Sequence, residues 1–249
     1  MTEMEIGHFG DGQVAASAKL HLQGESVRQR EFQSYVDIAR RFAPSGRWLD
    51  IGCGTGTLIL CARRFDIVTD GIELTADRRQ LARQVTGATI HDLPLELLNL
   101  ASESFAAVTL INVFSHLTRP TETLSHIRRV LSPGGIVLLR TGEIGSNVRR
   151  HHVFSWDLGD HLYFLGESTI DSYAKKLDFR LVYRDKTWLP AAVYTRDRLK
   201  MKGRSRRRNA IKGAIIHFPG AFPLLRWYML HRRQAGNPVY TSNLVLRKE

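Results

Sequence analysis

Cysteine is scarce in this 249-residue chain: Cys53 and Cys61 are the whole complement. Two thiols within one short stretch supply neither a disulfide framework nor a thiolate metal cage, so both are expected as free thiols in a reducing compartment. No secretory signal is expected, because Met1 to Gly12 carry acids and glycines where export needs a basic start and an apolar run. Long apolar runs are absent as well. The most apolar late segment, Ala210 to Leu230, is interrupted by Lys212, Pro219, Pro223 and Arg226, which excludes the roughly 20 unbroken apolar residues of a spanning helix. Acidic residues are nearly missing from one region. The last sixty residues hold 14 basic and 2 acidic side chains, whereas residues 1–189 hold 22 of each. The formal charge of +12 therefore resides in a single segment, densest at Lys200, Lys202, Arg204, Arg206, Arg207 and Arg208. Such a block is either a solvated loop or an attractor of anionic surfaces.

What is present is an ordinary globular composition, 43% hydrophobic and 24% charged, enough to bury a sizeable core. An amphipathic helix over Gln23 to Phe42 precedes the first strand, Arg47 to Gly52. A glycine loop leads into a helix from Thr57 to Arg64, a strand ending Gly71-Ile72-Glu73-Leu74, a helix from Ala76 to Gln84 and a short strand, Ala88 to His91. Then come an apolar strand over Phe105 to Val113, a helix over Thr121 to Leu131, a Pro133-Gly134-Gly135 turn and a strand over Ile136 to Leu139. Apolar strands alternating with helices predict an α/β fold, a doubly wound, mostly parallel seven-stranded sheet covered on both faces. Residues 141–166 read as a functional loop, followed by a helix from Ser168 to Lys176 and strands at Phe179 to Tyr183 and Val239 to Leu246. The expected organisation is one domain, with an N-terminal helical cap (1–45), a cofactor-binding core (46–189), a basic helical insertion (190–238) and a last strand (239–249).

The chemistry centres on Asp50-Ile51-Gly52-Cys53-Gly54-Thr55-Gly56-Thr57, a strand entering a G-x-G-x-G turn and then a helix. Glycines there let a ligand approach the backbone. Thr57 stands where a dinucleotide fingerprint needs its last glycine, and a phosphate-cradling lysine is absent, so both nucleotide signatures fail. Three carboxylates, Asp50, Glu73 and Asp92, stand at the ends of the first three strands and converge on one crevice. Glu73 suits ribose hydroxyls, and Asp92 suits an exocyclic amine.

In this motif order the chain resembles the class I S-adenosylmethionine-dependent methyltransferases, over about Phe42 to Phe179. The glycine motif is matched by Leu49 to Gly56, the ribose acid by Glu73, the adenine-side acid by Asp92 and the fourth-strand loop by Asn112 to Leu117. Ile127 to Gly135 looks like the helix and turn before strand five. Within the superfamily, Asp160-His161-Leu162-Tyr163-Phe164-Leu165 and Leu177-Asp178-Phe179 resemble a small-molecule, biosynthetic subgroup, the type 23-like methyltransferase domain, with Asp178 replacing the usual glycine. The resemblance implies S-adenosylmethionine as cofactor, held by Asp50, Gly52, Gly54, Gly56, Glu73, Asp92 and Asn112, and methyl transfer to a small acceptor, expected at oxygen. His116 and His161 are the candidate bases, each set against a purely structural role. Tyr35 belongs either to the core or to the pocket. The His151-His152 pair lacks supporting ligands at metal spacing, so no metal site is expected.

The insertion, Arg196 to Arg233, mixes cations with large apolar residues. Three roles fit, in this order: closing the acceptor pocket or a dimer contact, docking on an anionic membrane, and binding nucleic acid. The expected location is cytoplasmic, with peripheral contact at the inner face of a membrane. The competing class is an RNA- or membrane-binding protein with a retained methyltransferase fold, or an RNA methyltransferase. A nicotinamide oxidoreductase is disfavoured by the missing glycine.

Overall fold

The computed structural model describes residues 25–144, 162, 165–188, 206–218, 220–225, 227 and 239–249. Helix α1 (Glu25–Arg40) precedes β1 (Trp48–Ile51), α2 (Thr57–Arg63), β2 (Thr69–Ile72), α3 (Ala76–Thr86), β3 (Ile90–His91), β4 (Phe105–Ile111), α4 (Pro120–Val130) and β5 (Leu131–Ile144). There follow β6 (Leu165–Gly166), α5 (Glu167–Lys176), β7 (Phe179–Trp188), α6 (Arg206–His217) and β8 (Val239–Lys248). The strands run in the order β3-β2-β1-β4-β5-β8-β7. Strands β1 to β5 are mutually parallel, β8 is antiparallel to both β5 and β7, and the two-residue β6 pairs with the end of β5. The mostly parallel, doubly wound sheet expected from the strand alternation is thus present as a seven-strand path with one short addition.

Strands β1 and β4 are buried along nearly their whole length, which is why β4 reads as a nearly continuous apolar run in sequence, whereas β2 is equally buried but carries the polar run Thr69-Asp70-Gly71 before Ile72. On one face Leu49, Val108, Leu110, Val137 and Leu139 meet Leu124, Ile127 and Val130 of α4 and Ile170 of α5. The apolar positions of α4 recur at three-residue steps, and Pro120 at its first turn costs no hydrogen bond. On the other face Trp48, Ala107, Ile136 and Leu138 lie beneath Tyr35, Val36 and Ala39 of α1 and Leu58 and Cys61 of α2. Each Leu, Ile or Val side chain among them contributes about 1.5–3 kcal/mol on burial. Both cysteines are free and buried.

Several boundaries differ from expectation. Strand β5 starts directly after α4, so Pro133-Gly134-Gly135 sits within the strand as an irregularity: the register passes from Phe105 opposite Leu131 to Ala107 opposite Ile136. Gly134 absorbs it in the left-handed region at φ 70°. Residues 141–144, expected to open the loop, remain strand because β8 pairs with them through Ile144. Strand β7 extends to Trp188 for the same reason. Asp178 occupies the left-handed turn before β7 at φ 49°, a conformation that Asp tolerates where glycine is usual. The candidate pocket residue Tyr35 is only 3% exposed and is part of the core.

Candidate active site

The glycine loop forms where buried β1 ends at Ile51 and α2 begins at Thr57. Its turn is anchored to the neighbouring strand, since the N–H groups of Gly52 and Cys53 both donate to the Ile72 carbonyl, at 2.8 and 3.0 Å. Gly52, Gly54 and Gly56 all have positive φ, at 70°, 57° and 85°. Their surroundings differ. A methyl at Gly52 would lie 2.4 Å from a Val113 methyl, and one at Gly56 would lie 2.4 Å from the Thr86 methyl of α3. A methyl at Gly54 would meet nothing within 4 Å. Gly52 and Gly56 therefore let neighbouring elements close onto the loop, and Gly54 is the glycine with free space above its backbone.

Glu73, just beyond β2, is buried and ties the loop to the next helix. Its Oε2 accepts from the Gly54 N–H and its Oε1 from the Thr75 N–H, both at 2.9 Å. Asp50, 2% exposed inside β1, accepts the Thr109 hydroxyl of β4 on Oδ1 at 2.6 Å. Burial pushes its pKa up to about 7; the Thr109 hydrogen bond opposes this, and the Glu73 charge adds to it. Burial, with the Asp50 and Glu73 charges, raises the neighbouring Cys53 thiol far above its ordinary value and keeps it protonated.

Asp92 is exposed and follows β3. Asn112 is exposed immediately after β4, with φ 59°, and its amide oxygen accepts from Arg140 at 2.8 Å. His116 ends the 3-10 turn Phe114–His116, is exposed, and its N–H donates to the Val113 carbonyl at 2.9 Å. The Leu162 N–H donates to Ser115 of that turn at 2.8 Å, which brings the later chain to the end of β4. His161, Tyr163, Phe164 and the His151-His152 pair lie outside the described residues. Among the described residues no group of three or more His, Cys, Asp or Glu side chains is placed to hold a metal.

The parallel register brings Asp50, the glycine loop, Glu73 and Asn112 to the carboxyl edge of β1, β2 and β4. Two participants escaped sequence reasoning. Thr109 carried one signal, as the polar residue in an otherwise apolar strand. Arg140 carried another, as the cation closing the apolar run Ile136 to Leu139.

Known proteins resemble this chain in sequence and in fold. The chain is 29% identical over 103 residues to a ubiquinone biosynthesis O-methyltransferase of Haemophilus ducreyi, covering 37% of this chain and 44% of that protein. It is 28% identical over 146 residues to a ubiquinone/menaquinone biosynthesis C-methyltransferase of Geotalea daltonii, covering 55% and 60%. The chain thus spans about half the length of these curated relatives. A solved geranyl diphosphate methyltransferase in complex with SAM superposes with a TM-score of 0.67 over 98% of this chain and 94% of that one, at 12% identity, which supports the fold. The family described as Methyltransferase domain matches residues 25–184, from α1 through the glycine loop and the β4 exit into β7. The chain belongs to this methyltransferase domain family.

Proposed function

We propose that the protein is an enzyme that transfers a methyl group from S-adenosylmethionine to the oxygen of a small biosynthetic acceptor. The observation that carries this reading is the buried Glu73 carboxylate bridging to Gly54, beside a loop backbone with open space above it. The residues fit the cofactor: each Glu73 oxygen accepts one backbone N–H and keeps acceptor capacity for a ribose hydroxyl. Bound there, S-adenosylmethionine supplies a methyl activated by its sulfonium. Gly54 would admit its close approach, Asp92 would accept from the adenine amine, and Asn112 would meet the methionine end. Asp50 sits in β1 just before the loop, tied to Thr109 of β4, and in its ionised form adds negative charge beneath the cationic ligand. One of the two candidate histidines, His116 or His161, is the base that takes the acceptor's proton as the oxygen attacks. Relatives named as O-methyltransferases support oxygen as the methylated atom.

Calorimetric titration with S-adenosylmethionine, S-adenosylhomocysteine and NADH tests this. Micromolar binding of the first two alone is the expected result; a folded protein that binds neither refutes it.

For the insertion, exposed side chains favour membrane contact over pocket closure, which would bury them. Ile211, Phe218, Leu224 and Trp227 are 54–72% exposed within the cationic segment. An apolar, basic surface suits an anionic membrane from which an amphiphilic acceptor enters the crevice. On this reading the enzyme is cytoplasmic and peripheral to the inner face of a membrane. No helix among the described residues is long and apolar enough to cross one.

A further inference from the structure

Arg140 closes the inner part of β5 at the carboxyl edge of the sheet, and its side chain is only 11% exposed. One arm of its guanidinium donates from Nη1 to Asn112 Oδ1 at 2.8 Å, and the other pairs from Nη2 with Glu31 Oε1 of α1 at 3.1 Å. The Tyr35 hydroxyl donates to the same Glu31 oxygen at 2.9 Å, and the Tyr35 ring lies 5.3 Å from the guanidinium carbon. The fork is therefore held from two sides before it reaches Asn112. The Asn112 N–H also donates to the Arg140 carbonyl at 2.9 Å, so side chain and backbone of Asn112 are both tied to one residue.

A guanidinium has donors and no acceptor, so the Asn112 atom it touches must be the carbonyl oxygen. The amide NH2 is consequently the group that Asn112 presents elsewhere. Asn112 is exposed, in left-handed backbone, and precedes Val113, whose methyl sets the closest approach to Gly52. A ligand lying on the glycine loop reaches this edge. The amino-acid end of the proposed cofactor carries a carboxylate and an ammonium, and a fixed NH2 matches only the carboxylate.

We propose that Arg140 is a positioning residue which, by holding the Asn112 carbonyl oxygen, fixes the Asn112 amide as a donor to the carboxylate at the amino-acid end of the ligand on the glycine loop. This rests on the cofactor reading above. Without Arg140 the amide rotates, and its oxygen faces the carboxylate part of the time. The specificity lies in orientation, not in charge alone.

The test compares S-adenosylhomocysteine with 5′-methylthioadenosine, which has the same nucleoside and thioether but lacks the amino-acid end. Affinities are measured by calorimetry for the unaltered protein, Arg140→Ala and Arg140→Lys, with thermal melts to establish folding. The unaltered protein should prefer S-adenosylhomocysteine. Arg140→Ala should lose about tenfold or more of that preference, the worth of one hydrogen bond to a charged group, with methylthioadenosine affinity unchanged. Arg140→Lys, which keeps a cation beside Glu31 but has no fork, should not restore it, and it carries the test alone if the alanine variant unfolds. An unchanged preference in a folded variant overturns the proposal, as does full rescue by lysine or equal weakening of both ligands. Failure of the unaltered protein to bind either ligand overturns the cofactor reading and this proposal together.

Discussion

The hydroxyl of Thr109 donates to Oδ1 of Asp50 at 2.6 Å across the parallel pair β1–β4, where the two residues are register partners. This bond is the main polar support of a carboxylate that burial has pushed up to about pKa 7. An acid whose folded pKa is raised contributes stability that is complete below its unfolded pKa and is lost as pH rises through the folded one. Asp50 therefore favours the native state at pH 4 and loses that contribution progressively up to about pH 7, with a slope of about 1.4 kcal/mol per pH unit. In Asp50→Asn that slope should vanish, so its stability relative to the unaltered protein should rise with pH across the window. Urea denaturation at half-unit pH steps checks this, and parallel curves for the two proteins would refute the burial argument.

Gly54 and Gly56 should respond differently to alanine. Gly54→Ala meets open space and carries only the left-handed backbone penalty, about 1–2 kcal/mol. Its cofactor affinity should nonetheless fall, because the new methyl fills the ligand's approach.

Gly56→Ala drives a methyl to 2.4 Å from Thr86 of α3. Strain plus overpacking should cost about 2–4 kcal/mol, read as a lowered denaturation midpoint with no ligand present.

His116 stands exposed on the turn that borders the methyl-donor end of the proposed site. If it is the base, His116→Ala should lower kcat about 100-fold or more while the affinity for S-adenosylhomocysteine holds. A normal turnover with the true acceptor would move the role to His161.

The double variant Phe218→Ser/Trp227→Ser should bind vesicles rich in anionic lipid more weakly, by co-sedimentation, and its residual binding should be abolished by salt. Both side chains are exposed, at 72% and 57%, so folding should be unaffected. Undiminished vesicle binding would leave the cations acting alone; salt-sensitive RNA retention in its place would favour the nucleic-acid role.

The sequence by itself determined whatever depends on neighbours along the chain. A buried strand, a glycine turn and a helix are local events, so Asp50, the three glycines and Glu73 were legible from periodicity and backbone chemistry, and so was the alternation that makes a parallel sheet. Tertiary structure alone decided the rest. Thr109 meets Asp50 across 59 residues of chain, and Arg140 meets Asn112 across 28 and Glu31 from a helix that precedes the sheet. Those partnerships follow from strand register and helix docking, which no local pattern encodes. The same holds for β5, where Pro133-Gly134-Gly135 looks like a terminator, yet β4 on one side and β8 on the other supply enough pairing to carry the strand through to Ile144. Local preference is outweighed there because backbone groups buried within a sheet must find partners, and only the assembled strands offer them.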